Sequence, residues 1–143
     1  MGKRVLVVGG VAGGASVAAR VRRLDADACI TIFEKGEHVS FSNCALPYYL
    51  SRTVEDKDNL TLMTPEDFKT SYNIDVRINN EVCGIDRVRR KIQVNNRITG
   101  QKYEEAYDEL VLSPGSAPIC PKLIKGVSLP HVFTVRKDRK SVV

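Results

Sequence analysis

The first 34 residues constrain the fold more than any other stretch of the chain. Arg4-Val5-Leu6-Val7-Val8 is almost wholly apolar and β-branched, the composition of a strand buried on both faces of a parallel sheet. A glycine-rich run, Gly9-Gly10-Val11-Ala12-Gly13-Gly14, follows at once. From Ala12 to Leu24 the residues are mostly Ala, Val, Arg and Leu, with Ala15, Ala18, Ala19 and Val21 or Arg22 at helical spacing. A helix with so many small residues can lie close against a sheet. Asp25 to Asp27 ends it, and Cys29-Ile30-Thr31-Ile32-Phe33-Glu34 reads as a second parallel strand. The unit is about 30 residues long, the size of a β-α-β crossover.

Within this unit Gly9, Val11 and Gly14 take the three places of a dinucleotide-binding fingerprint. The first glycine allows the tight turn, the second lets the backbone approach a pyrophosphate, and the third allows close packing of helix on strand. Val11 stands where the second glycine belongs. The context compensates: a strand precedes, a helix follows, and Glu34 lies twenty residues beyond Gly14, where a carboxylate can accept hydrogen bonds from ribose hydroxyls. The glycine pattern alone serves FAD and NAD equally.

Further along, Asn43 to Leu50 is expected to form a short helix, with Asn43 as its cap and Pro47 in its first turn. Thr64-Pro65-Glu66-Asp67 is a stronger helix start, with the helix ending near Asn73. Strands are predicted over Asp75–Ile78, Glu81–Asp86, Lys91–Asn96, Gln101–Tyr107 and Glu109–Ser113, with a hairpin turn at Thr99-Gly100. The fold class expected is α/β: a Rossmann-like parallel sheet carrying a small antiparallel β-meander.

At 143 residues the chain has the length of one domain, and a single compact unit is feasible. Its 43% apolar and 27% charged residues are ordinary for a globular protein and favour neither a disordered chain nor a coiled coil. No apolar run approaches the roughly 20 residues of a membrane span. The basic start at Lys3-Arg4 leads into an apolar stretch broken by Gly9-Gly10, so a first strand in a cytoplasmic protein is expected, not a signal peptide. The net charge of +5 comes from scattered residues, except at Arg20, Arg22 and Arg23, with no aromatic RNA-binding motif, so nucleic acid is not an expected partner.

The four cysteines, Cys29, Cys44, Cys83 and Cys120, are separated by 15, 39 and 37 positions. That excludes a Cys-x-x-Cys dithiol and zinc-ligand spacing, so no metal is expected. Cys29 and Cys83 fall in predicted strands and are expected to be buried and inert; Cys120 is in a loop. Cys44 follows the Asn43 cap, where helix N–H groups and the dipole favour a thiolate. With no second cysteine near it in sequence, Cys44 is left two routes: a mixed disulfide with a small thiol, or a sulfenic acid.

Val39-Ser40-Phe41-Ser42-Asn43-Cys44-Ala45-Leu46-Pro47-Tyr48-Tyr49 resembles the active-site segment of the coenzyme A-disulfide reductases, a single-cysteine branch of the FAD-dependent pyridine nucleotide-disulfide oxidoreductases. The Val11 departure is shared by that branch, and Tyr107 to Gly115 is similar to its strand and turn approaching the flavin. The resemblance implies that Gly9, Val11, Ala12, Gly13 and Gly14 line the pyrophosphate of FAD, Glu34 and Lys35 the adenosine, and the Val82 backbone the adenine. It implies flavin contact for Ser113, Pro114 and Gly115, and contacts to coenzyme A or another small thiol or disulfide for Ser16, Arg20, Arg23, Ser40 and Asn43. Cys44 becomes the redox nucleophile, with NAD(P)H as electron donor. Related NADH oxidases and peroxidases carry a His in the glycine-rich turn that supports a sulfenate; Ala12 stands here, which favours the mixed-disulfide route. Some members place a Lys near the end of the following helix where this chain has Tyr72, a departure that implies either a weaker ligand contact or substitution by Lys69.

The resemblance reaches to about Lys137, so residues 1–137 are expected to be the amino-terminal part of an incomplete FAD-binding domain, without the NAD(P)H and dimerisation domains of a homodimeric enzyme. Asp138 to Val143 can be encoded by GAT-CGG-AAG-AGC-GTC-GTG, a common sequencing adapter, and is expected to be read-through. Its removal takes the net charge from +5 to +4, since two basic residues and one acidic residue leave.

Overall fold

The computed structural model describes residues 2–135; the tail 138–143 and the expected boundary at 137 lie outside the described residues. The described residues fall into two compact units, 2–41 with 61–114, and 42–60 with the chain from Gly115. The first begins with β1 (Arg4–Val8), α1 (Ala12–Leu24) and β2 (Cys29–Glu34). The chain then enters the second unit, which holds α2 (Leu46–Leu50), and returns to the first as α3 (Pro65–Tyr72), β3 (Asp75–Ile78), β4 (Asn80–Asp86), β5 (Lys91–Asn96), β6 (Lys102–Ala106) and β7 (Glu109–Leu112). The sequence-based limits hold to within a residue at every strand and helix start of this unit.

In the first unit, β3-β2-β1-β7 form a parallel sheet and β4-β5-β6 an antiparallel meander. Strand alternation divides the core. Val5, Val7, Ile30 and Ile32 point to one face, where Ala18 of α1 and Phe68 of α3 complete a buried cluster. Leu6 and Phe33 point to the other, against Ile92, Val94 and Tyr107. The result is three layers: helices, parallel sheet, meander. Phe33 and Phe68 are 1% and 2% exposed, and each fully buried aromatic contributes about 1.5–3 kcal/mol of apolar transfer.

Local chemistry explains the element ends. At α3 the Thr64 hydroxyl accepts from the Asp67 N–H (3.1 Å), and the Asp67 carboxylate accepts from the Thr64 N–H (2.8 Å), a reciprocal capping box. Asn73, left-handed with φ 49°, ends the helix. The β5–β6 turn uses Gly100 at φ 73°, but also the Asn96 side chain, which accepts from the Ile98 and Thr99 N–H groups.

Two expectations are corrected. Cys29 and Cys83 are exposed, not buried. Cys29 opens β2 on the face of Phe33, about 13 Å along the strand from it. Cys83 is the unpaired residue of a β-bulge between Val82 and Gly84, and the bulge turns it to solvent.

In the second unit, the Ser42 N–H donates to the Leu60 carbonyl (2.7 Å), joining the ends of the 42–60 segment. That segment holds a 3-10 turn at Asn43–Ala45, then α2, then a second 3-10 turn at Lys57–Leu60, which sequence periodicity does not reveal. From Gly115 the described chain makes turns only, with Ile119 and Leu123 exposed. No helix among the described residues is long and apolar enough to cross a membrane.

Candidate functional site

From β1 the chain passes to β2 on one side, while β7 pairs with β1 on the other. The carboxyl ends of β1 and β7 therefore flank a topological switch point, where open α/β sheets bind ligands. Gly9, at φ 94°, leaves β1 there; a Cβ on it would lie 2.1 Å from the Ser113 carbonyl oxygen. A Cβ on Gly14 would lie 1.8 Å from the Gly9 carbonyl oxygen. Both glycines are thus demanded by packing of the turn on β7 and of α1 on the turn. The turn is tied to both neighbouring strands, Gly9 N–H to Phe33 O and Ser113 N–H to Val8 O, each at 2.8 Å.

Gly13 differs. It is exposed, and an added Cβ would meet only the Ser113 side chain, at 3.3 Å from Oγ. Ala12 beside it is also exposed. α1 starts after Val11 with no side-chain cap and no acid in its first turn, unlike α3. Its amino-terminal N–H groups therefore lack the side-chain acceptor that most helices supply, which makes this end a receptor for an anion. Uncapped donors, a bare Gly13 and the nearby Ser113 suit a pyrophosphate, so the residues present fit a bound dinucleotide.

Glu34 is 9% exposed. Its Oε2 accepts from Gly10 N–H (2.8 Å) and its Oε1 from Gly36 N–H (2.7 Å). Glu34, anticipated as a ribose contact, here holds the glycine-rich turn, and each oxygen keeps a further acceptor direction. Ser40, at φ 52°, donates its N–H to the Gly10 carbonyl (2.7 Å), which places it at the turn. Lys35 is exposed, and its carbonyl accepts from Arg97 (3.4 Å). Val82 is half-buried in β4 opposite Val94, and Pro114 follows Ser113 beyond β7.

Gly13, Ser16, Arg20 and Arg23 recur along one exposed face of α1. Arg22 faces the other way, and its structural role is not evident from charge. Its guanidinium donates to the carbonyls of Tyr72 (2.8 Å), Ala28 (2.7 Å) and Asn73 (2.9 Å), clamping the ends of α1 and α3 to the entry of β2. The available signal is its helical register with Ala15 and Ala18. Tyr72 packs its ring near Phe68 (6.2 Å between centroids) at the edge of the core, and Lys69 donates to the Asn73 side chain (3.2 Å).

In the second unit Cys44 is exposed. Asn43 is not the helix cap: it is the first residue of the 3-10 turn, Ser42 precedes it, and no side chain caps the turn. The reason is spacing, since a three-residue turn closes before α2 begins at Leu46. Pro47 falls in the first turn of α2, as expected. Gly115, at φ 73°, belongs to this unit.

A parallel sheet with a glycine-rich turn at its switch point and an uncapped helix behind it defines a dinucleotide-binding fold. The chain belongs to the pyridine nucleotide-disulphide oxidoreductase family, whose profile matches residues 3–141. It is 40% identical over 134 residues to the coenzyme A disulfide reductase of Staphylococcus haemolyticus, covering 94% of this chain and 30% of that protein. Among solved structures it resembles reduced Bacillus anthracis CoADR-RHD (44% identity, TM-score 0.82, 85% of this chain and 22% of that one). It also resembles an NAD-dependent persulfide reductase from A. fulgidus (36%, TM-score 0.88, 97% and 25%). The water-forming NADH oxidase of Lactobacillus brevis is similar as well (30%, TM-score 0.78, 84% and 26%). The chain thus spans less than a third of the length of these relatives.

Proposed function

We propose that this chain is the amino-terminal part of a flavin-dependent NAD(P)H:disulfide oxidoreductase that reduces coenzyme A disulfide or a related persulfide through Cys44. The observation that carries the reading is an exposed thiol in the run Ser42-Asn43-Cys44-Ala45-Leu46-Pro47, within a chain whose glycine-rich turn is built for a dinucleotide.

Gly9, Val11, Ala12, Gly13 and Gly14 would hold the pyrophosphate of FAD, Glu34 and Lys35 the adenosine, the Val82 backbone the adenine, and Ser113, Pro114 and Gly115 the flavin side. When bound, FAD supplies two-electron transfer from NAD(P)H. The Cys44 thiolate attacks one sulfur of the disulfide, forming a mixed disulfide and expelling one thiolate. The one electron pair that NAD(P)H would supply cleaves that bond, both released thiolates take up a proton, and Cys44 returns to the thiolate. The sum is one disulfide, one NAD(P)H and one proton giving two thiols and NAD(P)⁺. Arg20 and Arg23, on one exposed face with Ser16, suit the phosphates of coenzyme A, and Ser40 and Asn43 are further substrate contacts. Four exposed free cysteines fit a reducing, cytoplasmic setting.

The second reading is an NADH oxidase or peroxidase that cycles Cys44 through a sulfenate; similarity to the Lactobacillus brevis oxidase favours it, and Ala12 in place of a His opposes it. A flavin-binding fragment without turnover is the third. The test uses the full-length protein, assayed anaerobically with NAD(P)H and coenzyme A disulfide, and separately with peroxide. Cys44→Ser is expected to keep the yellow flavin and lose disulfide reduction. Normal turnover by that variant would remove the assignment, and peroxide-only turnover by the parent would favour the second reading. We propose further that NAD(P)H and homodimerisation domains complete the enzyme and that 138–143 is adapter-derived. Sequencing the source DNA across codons 136 to 143 decides the last point.

A further inference from the structure

We propose that Glu34, Gly36 and Asn79 form a hydrogen-bonded latch that presets the glycine-rich turn before any ligand arrives, with Asn79 as a positioning residue. The latch rests on the nucleotide reading of that turn, and Gly36 and Asn79 are not among the candidate ligand contacts.

Asn79 is the single residue between β3 and β4, and it makes the reversal at φ 57°, a region open mainly to Gly and Asn. Both of its backbone groups are engaged. Its N–H donates to the Gly36 carbonyl (2.9 Å), and its carbonyl accepts from the Arg97 N–H (2.8 Å). Gly36 in turn donates its N–H to Glu34 Oε1 (2.7 Å), and Glu34 Oε2 accepts from the Gly10 N–H (2.8 Å). A continuous path thus runs from the meander hinge, through the loop after β2, to the centre of the glycine-rich turn.

Physical chemistry gives the path a purpose. A nearly buried carboxylate is expensive unless it accepts several hydrogen bonds, and two backbone N–H groups offset that cost here. Clamped at both oxygens, the carboxylate has one orientation, with its remaining acceptor directions fixed in advance for ribose hydroxyls. A glutamine cannot replace it, because the amide has one acceptor oxygen and presents N–H to the other donor. Ordering a glycine-rich turn is entropically costly, and a latch that bears the cost in the free protein leaves less to be lost on binding.

The test is hydrogen–deuterium exchange on full-length protein stripped of flavin, reading peptides across 8–12 and 34–37, with FAD affinity measured in parallel. Glu34→Gln is expected to speed exchange at Gly10 at least about tenfold. Asn79→Ala, which strains the reversal, is expected to speed it about fivefold and to weaken FAD binding, whereas Asn79→Gly restores both. If Glu34→Gln weakens FAD without altering exchange at Gly10, Glu34 is a ligand contact only and the latch is overturned. Unchanged exchange in Asn79→Ala removes Asn79 from the device, and this pair decides if Glu34→Gln does not fold. A parent protein that binds no FAD overturns the nucleotide reading instead, whatever the exchange shows.

Discussion

Gly13 and Gly14 are neighbours with opposite tolerances. At Gly14 a methyl group would meet the Gly9 backbone at 1.8 Å, and rigid backbone on both sides cannot yield. Gly14→Ala is expected to lose about 3 kcal/mol or more, read as a drop in the denaturation midpoint. At Gly13 the added methyl meets only a side chain at 3.3 Å, and alanine is the better helix former, so Gly13→Ala is expected to be neutral or slightly stabilising. On the proposed nucleotide site it should nevertheless weaken FAD affinity by about tenfold or more, because the methyl would stand in the way of the pyrophosphate; unchanged affinity would place the pyrophosphate elsewhere. The places of Gly9 and Gly14 are legible in sequence because spacing along one turn and one helix sets them. The grip of Glu34 on Gly10 is not, since its partner lies 24 positions away and becomes adjacent only when β1 and β2 pair.

The two longer helices begin in opposite ways, and the difference follows their roles. α3 has a complete capping box, while α1 has no side-chain cap, as the proposed pyrophosphate site requires. The Asp67 carboxyl is held below its ordinary 3.8, first by the Thr64 N–H and then by the Thr64 hydroxyl, with slight burial opposing. A depressed carboxyl contributes stability that is fully present above the unfolded value and is lost as pH falls through the folded one. The α3 contribution is therefore expected to be complete above pH 3.8 and to fade below it, with the carboxyl of Asp67 titrating below 3.8 by NMR. Thr64→Ala should destabilise by about 1 kcal/mol and raise that titration only in part, because the backbone N–H at position 64, the larger cause, remains. A titration unmoved in Thr64→Ala would show that the hydroxyl has no part in the depression. Thr64, Pro65 and Asp67 announce this helix because capping is a contact across three residues. Asn43 misleads for the same reason: it is a common cap, and a 3-10 turn ahead of α2 displaces it.

Across the first unit, Arg77 is a charged side chain that ties the parallel sheet to the meander beside their shared apolar cluster. From β3 it donates to Asp75 beside it (3.0 Å) and to Glu105 on β6 (2.6 Å), with its guanidinium 5.3 Å from the Phe33 ring centre and 5.9 Å from that of Tyr103. Burial works against its charge, but the hydrogen bonds to Glu105, Tyr103 and Asp75 outweigh it and hold its pKa above the ordinary arginine range. With about a third of the side chain open to solvent, the full value of a buried pair does not apply. Arg77→Ala is expected to cost about 2 kcal/mol, partly from leaving Glu105 unpaired, and Arg77→Lys to recover only part because it lacks the planar fork. A midpoint unchanged in Arg77→Ala would show that apolar packing alone joins the layers. By itself the sequence determined the strands, the two longer helices, the glycine-rich turn and the place of the candidate thiol in the chain, because periods of two and 3.6 residues, capping boxes and glycine spacing act over a few bonds of chain. Only the tertiary structure decided that Glu34 grips Gly10, that Arg22 clamps carbonyls while Arg20 and Arg23 face solvent, and that Cys29 and Cys83 are exposed. Each of these depends on which distant segment lies alongside, and strand pairing and layer packing set that.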